Sequence, residues 1–159
     1  MKTSKASNAL KILLTIFSLG VVFIATYALP IIAEEMIEVY PELINAKVSI
    51  LIITELLLFL LLLGVGVIFY LLVLFDRNLT FTLKFTRGLE VLVGMCIIAV
   101  IGIVILFQYL SLFGGPGPLN ALIMIGMIFV ILIVAMVIIL IRAIVKKTIV
   151  YKTDYDLTV

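Results

Sequence analysis

The chain has 159 residues, 66% of them hydrophobic and 13% charged, against roughly 45–50% apolar and about 25% charged in soluble domains. That composition excludes an ordinary soluble globular protein. A single Cys and no His exclude a disulfide framework within the chain and the usual Cys and His zinc sites, and the modest formal net charge of +2 hides a strongly polarised distribution of charge along the chain.

A membrane helix needs about 20 consecutive apolar residues, so charge-free runs mark the spans. The first covers 12–33, between Lys11 and Glu34, and the second ends at Phe75, before Asp76. A third run, between Glu90 and Arg142, is too long for one span and is cut by Gly114-Gly115-Pro116-Gly117-Pro118. Prolines and glycines at that density end a helix and favour a tight turn. The expected spans are 12–33, 50–75, 91–113 and 119–141, in a single membrane domain covering 1–159.

Short loops rich in Lys and Arg stay on the cytoplasmic side of a membrane. Lys2, Lys5 and Lys11 precede the first span. Arg77, Lys84 and Arg87 lie in the basic loop 76–88, and Arg142, Lys146, Lys147 and Lys152 lie in the tail 142–159. The loop 34–47 instead holds Glu34, Glu35, Glu38 and Glu42 against Lys47. The expectation is an all-α integral membrane protein, a four-helix bundle running up-down-up-down with both termini cytoplasmic and the acidic loop outside. A cleaved secretory signal is the competing reading of the N-terminus, but the apolar stretch is long for one and Thr26-Tyr27-Ala28 is a poor small-x-small site.

Helices apolar on every face must associate through small residues and a few polar contacts. Gly20, Gly64, Gly66, Gly94, Gly102 and Gly126 are the expected close-approach positions. None forms a GxxxG pair within a span, so a homo-oligomer is compatible with the sequence but its face is not indicated.

Glu55 is the ionisable side chain nearest a span interior, and an intramembrane carboxylate marks a functional site by default. Thr26, Tyr27, Thr54, Gln108, Tyr109, Ser111 and Asn120 all fall in the outer halves of their spans. Two readings follow. Either these residues form an outward-facing polar pocket (Glu55, Tyr27, Thr54, Gln108, Tyr109, Asn120), with Glu55 hydrogen-bonded to Tyr27 or Gln108, or they form an interfacial belt with Glu55 at the outer boundary. The acidic loop lacks the ligand pattern of a calcium site and reads as a solvated face. No metal or cofactor is expected.

On the inner side, Thr82 is placed to cap a helix that starts well before residue 91. Phe81, Phe85 and Leu89 would then form a stripe able to lie on inner headgroups, beside basic residues that favour anionic lipid. Three basic residues and no binding motif argue against direct nucleic-acid contact. In the tail, Ile149, Tyr151, Tyr155, Leu157 and Val159 alternate with polar residues at the period of a strand. Such a strand would have to dock on a partner or fold back; the alternative is a last helix that overshoots the membrane and frays.

Asn78, Phe81 and Thr82 make an Asn-x-x-Phe-Thr pattern before the third span, and the chain ends in Asp156-Leu157-Thr158-Val159. With four spans and both ends inside, this resembles the bacterial domain-of-unknown-function family 2975. The family's usual ending is closer to Glu-Asn-Asp-Leu-Thr-Val, so only the last four residues match well. The resemblance implies a multi-pass protein of the bacterial cytoplasmic (inner) membrane and no catalytic residues. It also implies that members are often encoded beside a small helix-turn-helix regulator. Phe81, Phe85, Asp154, Tyr155, Asp156, Leu157, Thr158 and Val159 are then the candidate contacts for such a cytoplasmic partner.

Two functions are expected from these residues: a sensory or anchoring partner of a cytoplasmic regulator, or a small transporter, channel or immunity-type protein using the cluster around Glu55. An enzyme is not expected. Cys96 has no His to activate it and sits in an apolar span, where a thiol is inert, and Ser111 has no base nearby in sequence.

Overall fold

The computed structural model describes the backbone of residues 2–114 and 117–157 and the side chains of 5–114 and 117–151. Its described residues are almost entirely helical, with four helices long and apolar enough to cross a membrane: Lys5–Val39, Lys47–Asp76, Leu83–Ser111 and Gly117–Tyr151. The protein is all-α, as expected.

The first span is a single rod in three parts: α1 (Lys2–Phe23), a π-turn (Ile24–Ala28) and α2 (Leu29–Val39). Pro30 explains the middle part. Proline has no N–H, and in a regular α-helix its ring collides with the carbonyl four residues earlier, here that of Thr26. Inserting one residue into the turn relieves the collision: the Leu29 N–H donates to the Ile24 carbonyl, five residues back. Thr26 turns its hydroxyl onto the Val22 carbonyl at 2.9 Å.

A short 3-10 turn (Pro41–Leu43) leads into α3 (Lys47–Asp76), followed by α4 (Leu83–Ser111) and α5 (Gly117–Leu157). The rod packs on α3, α3 on α4, and α4 on α5. Lys11 near the middle of α1 pairs with Asp76 at the end of α3. At the other end of the rod, Glu34 of α2 lies 3.8 Å from Lys47. Between α4 and α5, Glu90 pairs with Arg142 and stands 4.0 Å from Lys146.

Two apolar clusters hold α3, α4 and α5 together. Toward the basic end, Leu71 and Leu74 meet Phe85, Leu89, Leu92 and Val145. Toward the acidic end, Ile103, Leu110 and Met124 meet Leu43, which the 3-10 turn drops onto them. The connection between the first two spans is thus part of the core, with Ala46 completely buried.

The rest of the surface is apolar. On α5, Leu122, Phe129, Ile133, Met136 and Leu140 are each more than 60% exposed and follow one helical face. Water would make such a strip a liability; in lipid it is the side that meets the solvent.

Of the glycines expected at close approaches, only Gly102 is one. A Cβ there would stand 2.7 Å from Leu57 Cδ2, whereas Gly20, Gly66, Gly94 and Gly126 have open space and Gly64 has only Met95 Sδ at 4.0 Å. The second close approach is Gly88, under Leu71.

Of the two readings of the tail, the structure takes the overshooting helix through Leu157 rather than the strand. α5 continues to that residue because its helical commitment is made earlier: Val145 and Ile149 lie one turn apart against the α3–α4 cluster, and no Gly or Pro follows Gly126 to stop it. Alternation over so few residues also fits a helix, and packing decides.

Candidate functional site

At the acidic end, α3 and the first rod leave a side-opening groove of about 600 Å³. The π-turn shapes one wall, with Val22, Ala25, Thr26 and Pro30; α3 supplies the other, including Glu55 and Phe59. π-turns recur at functional sites because they re-aim side chains at the cost of regular pairing. Here the turn sets Thr26 and Pro30 opposite Glu55. The Glu55 carboxylate is exposed and has no hydrogen-bond or ionic partner among the described residues.

The other residues expected around Glu55 do not converge on it. Tyr27 stacks on Phe23 with ring centroids 5.4 Å apart. Thr54 donates to the Ile50 carbonyl of its own helix at 2.8 Å, and Tyr109 rests against Phe113. Gln108 is exposed and Asn120 half-buried, and neither lines the groove. Register explains Gln108: Leu71 over Gly88 and Leu57 over Gly102 put Gln108 level with Leu51, about one helical turn beyond Glu55. The expected hydrogen bond from Glu55 to Tyr27 or Gln108 is therefore not made, and the groove unites Glu55 with Thr26 alone among the polar residues singled out.

The acidic segment is mostly helix. Glu34, Glu35 and Glu38 lie on α2, while Glu42 reaches across to Gly114 in the connection between α4 and α5, a residue at φ +97°. Among the described residues no three carboxylates or cysteines gather as a metal site would require.

At the basic end the Asn-x-x-Phe-Thr pattern is a pair of helix caps. Asn78 takes the left-handed conformation at φ +57°. The Asn78 N–H donates to the Phe75 carbonyl at 3.0 Å and the Leu79 N–H to the Leu74 carbonyl at 2.9 Å, the two bonds of a Schellman stop. Four residues after Asn78, Thr82 opens α4, its hydroxyl accepting from the Phe85 N–H at 3.4 Å, as expected. The cap turns Phe85 and Leu89 inward, however, so the stripe faces the α3–α5 cluster rather than headgroups. Phe85 is buried and presents almost no surface to a partner, while Phe81 is half exposed.

Of the tail candidates, Asp154, Tyr155, Asp156 and Leu157 lie on the helical backbone of α5, with side chains outside the described set. Thr158 and Val159 lie wholly outside the described residues.

The family model for "Protein of unknown function (DUF2975)" matches residues 31–159, from the start of the rod's second half through the last helix. The chain belongs to the DUF2975 family. The match contains both caps of the Asn78–Thr82 pattern and Glu55, and begins one residue after Pro30. Comparison with curated proteins and with solved structures gives no match.

Sequence reasoning missed Pro30 and Gly88. A proline inside an apolar run is a visible signal for a distorted helix. Gly88 had no comparable signal, because its importance depends on which α3 side chain lands on it.

Proposed function

We propose that this DUF2975 protein is a sensory or anchoring component of the bacterial cytoplasmic membrane, its spans running up-down-up-down with both termini inside, that binds a cytoplasmic helix-turn-helix regulator and acts by binding rather than catalysis. The observation that carries this reading is the length of α5. Its 41 residues extend about 60 Å at 1.5 Å per residue, twice the roughly 30 Å hydrocarbon layer. The helix packs on the α3–α4 cluster as far as Ile149, and its last turns, 150–157, form a helical arm beyond that contact, toward the end rich in basic residues, ten of the eleven in the chain, which charge assigns to the cytoplasm. Phe81, exposed in the neighbouring connection, offers an apolar contact near the arm's base. The regulator is the partner that the family resemblance implies, and the groove holding Glu55 is the natural place for an outer signal.

The test is a pull-down of the regulator encoded in the adjacent gene by the full-length membrane protein. Removing 154–159 abolishes the interaction if the arm is the contact; unchanged capture refutes it. A second reading, a small transporter, channel or immunity-type protein, rests on Glu55 and Thr26 facing each other across the groove. It requires Glu55→Gln to change ion flux or toxin resistance while leaving regulator capture intact.

A further inference from the structure

At the basic end a second groove, of about 400 Å³, opens sideways between α3 and α4. Val67 and Tyr70 form one side; Lys84, Arg87, Gly88 and Val91 form the other. The α4 residues lie on one helical face by their spacing of three, four and seven.

Lys84 and Arg87 share with Lys5, Arg77 and Lys147 the lack of an ion pair among the described residues, but they alone of these line the groove. Lys11 is matched by Asp76, and Arg142 and Lys146 by Glu90. Lys84 and Arg87 are exposed and have no acidic partner among the described residues. Depth matters equally. With Leu71 over Gly88, Arg87 is level with Leu72, about 6 Å inward of Asp76 at 1.5 Å per residue, and Lys84 is level with Phe75. Two unmatched cations thus straddle the edge of the hydrocarbon layer. Below them Val67 and Val91 continue the groove as an apolar track, and Tyr70 and Val91 are each about half exposed.

Long cationic side chains at this depth reach up to the headgroup level, where anionic lipid attracts them, and guanidinium and ammonium groups together suit a phosphodiester. We propose that this groove is a binding site for an anionic glycerophospholipid, its phosphate held by Lys84, Arg87 and the Tyr70 hydroxyl and one acyl chain lying along Val67 and Val91. The opening toward the bilayer and the apolar floor select a lipid over a cytosolic protein or free phosphate. The site depends only on the four spans lying in a membrane, not on the regulator.

The experiment is native mass spectrometry of the full-length protein released from vesicles of equal parts phosphatidylglycerol and phosphatidylcholine. The unaltered protein retains phosphatidylglycerol in preference. The double variant Lys84→Gln/Arg87→Gln lowers that preference by about tenfold or more, whereas Arg77→Gln/Lys147→Gln, which removes the same charge elsewhere on this end, changes it by less than about twofold. Val91→Trp keeps both charges, fills the track and also reduces retention. The site is refuted if the unaltered protein shows no preference, a result independent of how any variant folds. It is equally refuted if both double variants lose lipid alike, if Val91→Trp retains it fully, or if inorganic phosphate displaces it.

Discussion

Leu71 of α3 occupies the space that a side chain at Gly88 of α4 would need: a Cβ built on Gly88 would stand 2.6 Å from Leu71 Cδ2. Two points of interlock, this one and Leu57 over Gly102, lie about four helical turns apart on the same interface. Together they set the register that makes Phe85 and Leu89 core residues and leaves Arg87 beside the second groove. In lipid, where apolar burial drives helix association only weakly, such close backbone approach carries much of the packing.

Gly88→Ala is therefore expected to destabilise the protein by about 1–3 kcal/mol, the usual cost of overpacking, because Leu71 is itself confined by Leu74 and Val145. Adding Leu71→Ala should recover part of the loss. Gly94→Ala and Gly126→Ala, with open space around them, should be neutral or stabilising by up to about 1 kcal/mol through helix propensity. Thermal unfolding in detergent, followed by helical circular dichroism, separates the four variants. Equal melting of Gly88→Ala and Gly94→Ala would show that no interlock holds this interface.

The Asn-x-x-Phe-Thr pattern of Asn78, Phe81 and Thr82 should behave as structure. Thr82→Ala removes the hydroxyl that accepts from Phe85 N–H and should cost about 1 kcal/mol, with Thr82→Ser close to the original. Asn78→Gly should be tolerated at φ +57°, whereas Asn78→Ala should cost about 1 kcal/mol, because alanine keeps the Cβ but loses the short polar side chain that eases asparagine into that conformation. If instead Thr82→Ala left the melting point unchanged but abolished regulator capture, the pattern would be a contact surface rather than a pair of caps.

What the sequence made legible follows from how local each determinant is. The spans could be read because charge-free length and the Gly114 to Pro118 break act within one segment, and Thr82 because a cap concerns only the next turn of backbone. Phe85 looked like a headgroup contact for the same reason: its stripe was visible, but not the side on which α3 and α5 would cover it. The polar set around Glu55 shared only the outer half of the spans, and that does not bring residues together when register sets Gln108 a turn away and Tyr27 and Thr54 are engaged within their own helices. The tail stayed open between strand and helix because a few alternating residues satisfy both periods, and the contact of Ile149 with the distant α3–α4 cluster settled the choice.

Pro30 provides the most direct link between a single residue and the groove holding Glu55. The π-turn exists to keep its ring off the Thr26 carbonyl, and the extra residue rotates everything N-terminal to it by about 100° relative to an uninterrupted helix. In Pro30→Ala the missing donor returns, and a regular α-helix through 24–30 becomes the favoured conformation. The rod cannot then satisfy both ends at once. If α2 keeps Glu34 near Lys47, Lys11 rotates away from Asp76, and Thr26 leaves the wall facing Glu55. Crosslinking of Lys11→Cys to Asp76→Cys by a short bismaleimide, in a Cys96→Ala background, reports this directly. Crosslinking should be efficient with Pro30 and fall several-fold in Pro30→Ala, with overall helicity unchanged or slightly higher. Undiminished crosslinking would mean that the π-turn is imposed by packing against α3, leaving Pro30 only to accommodate it.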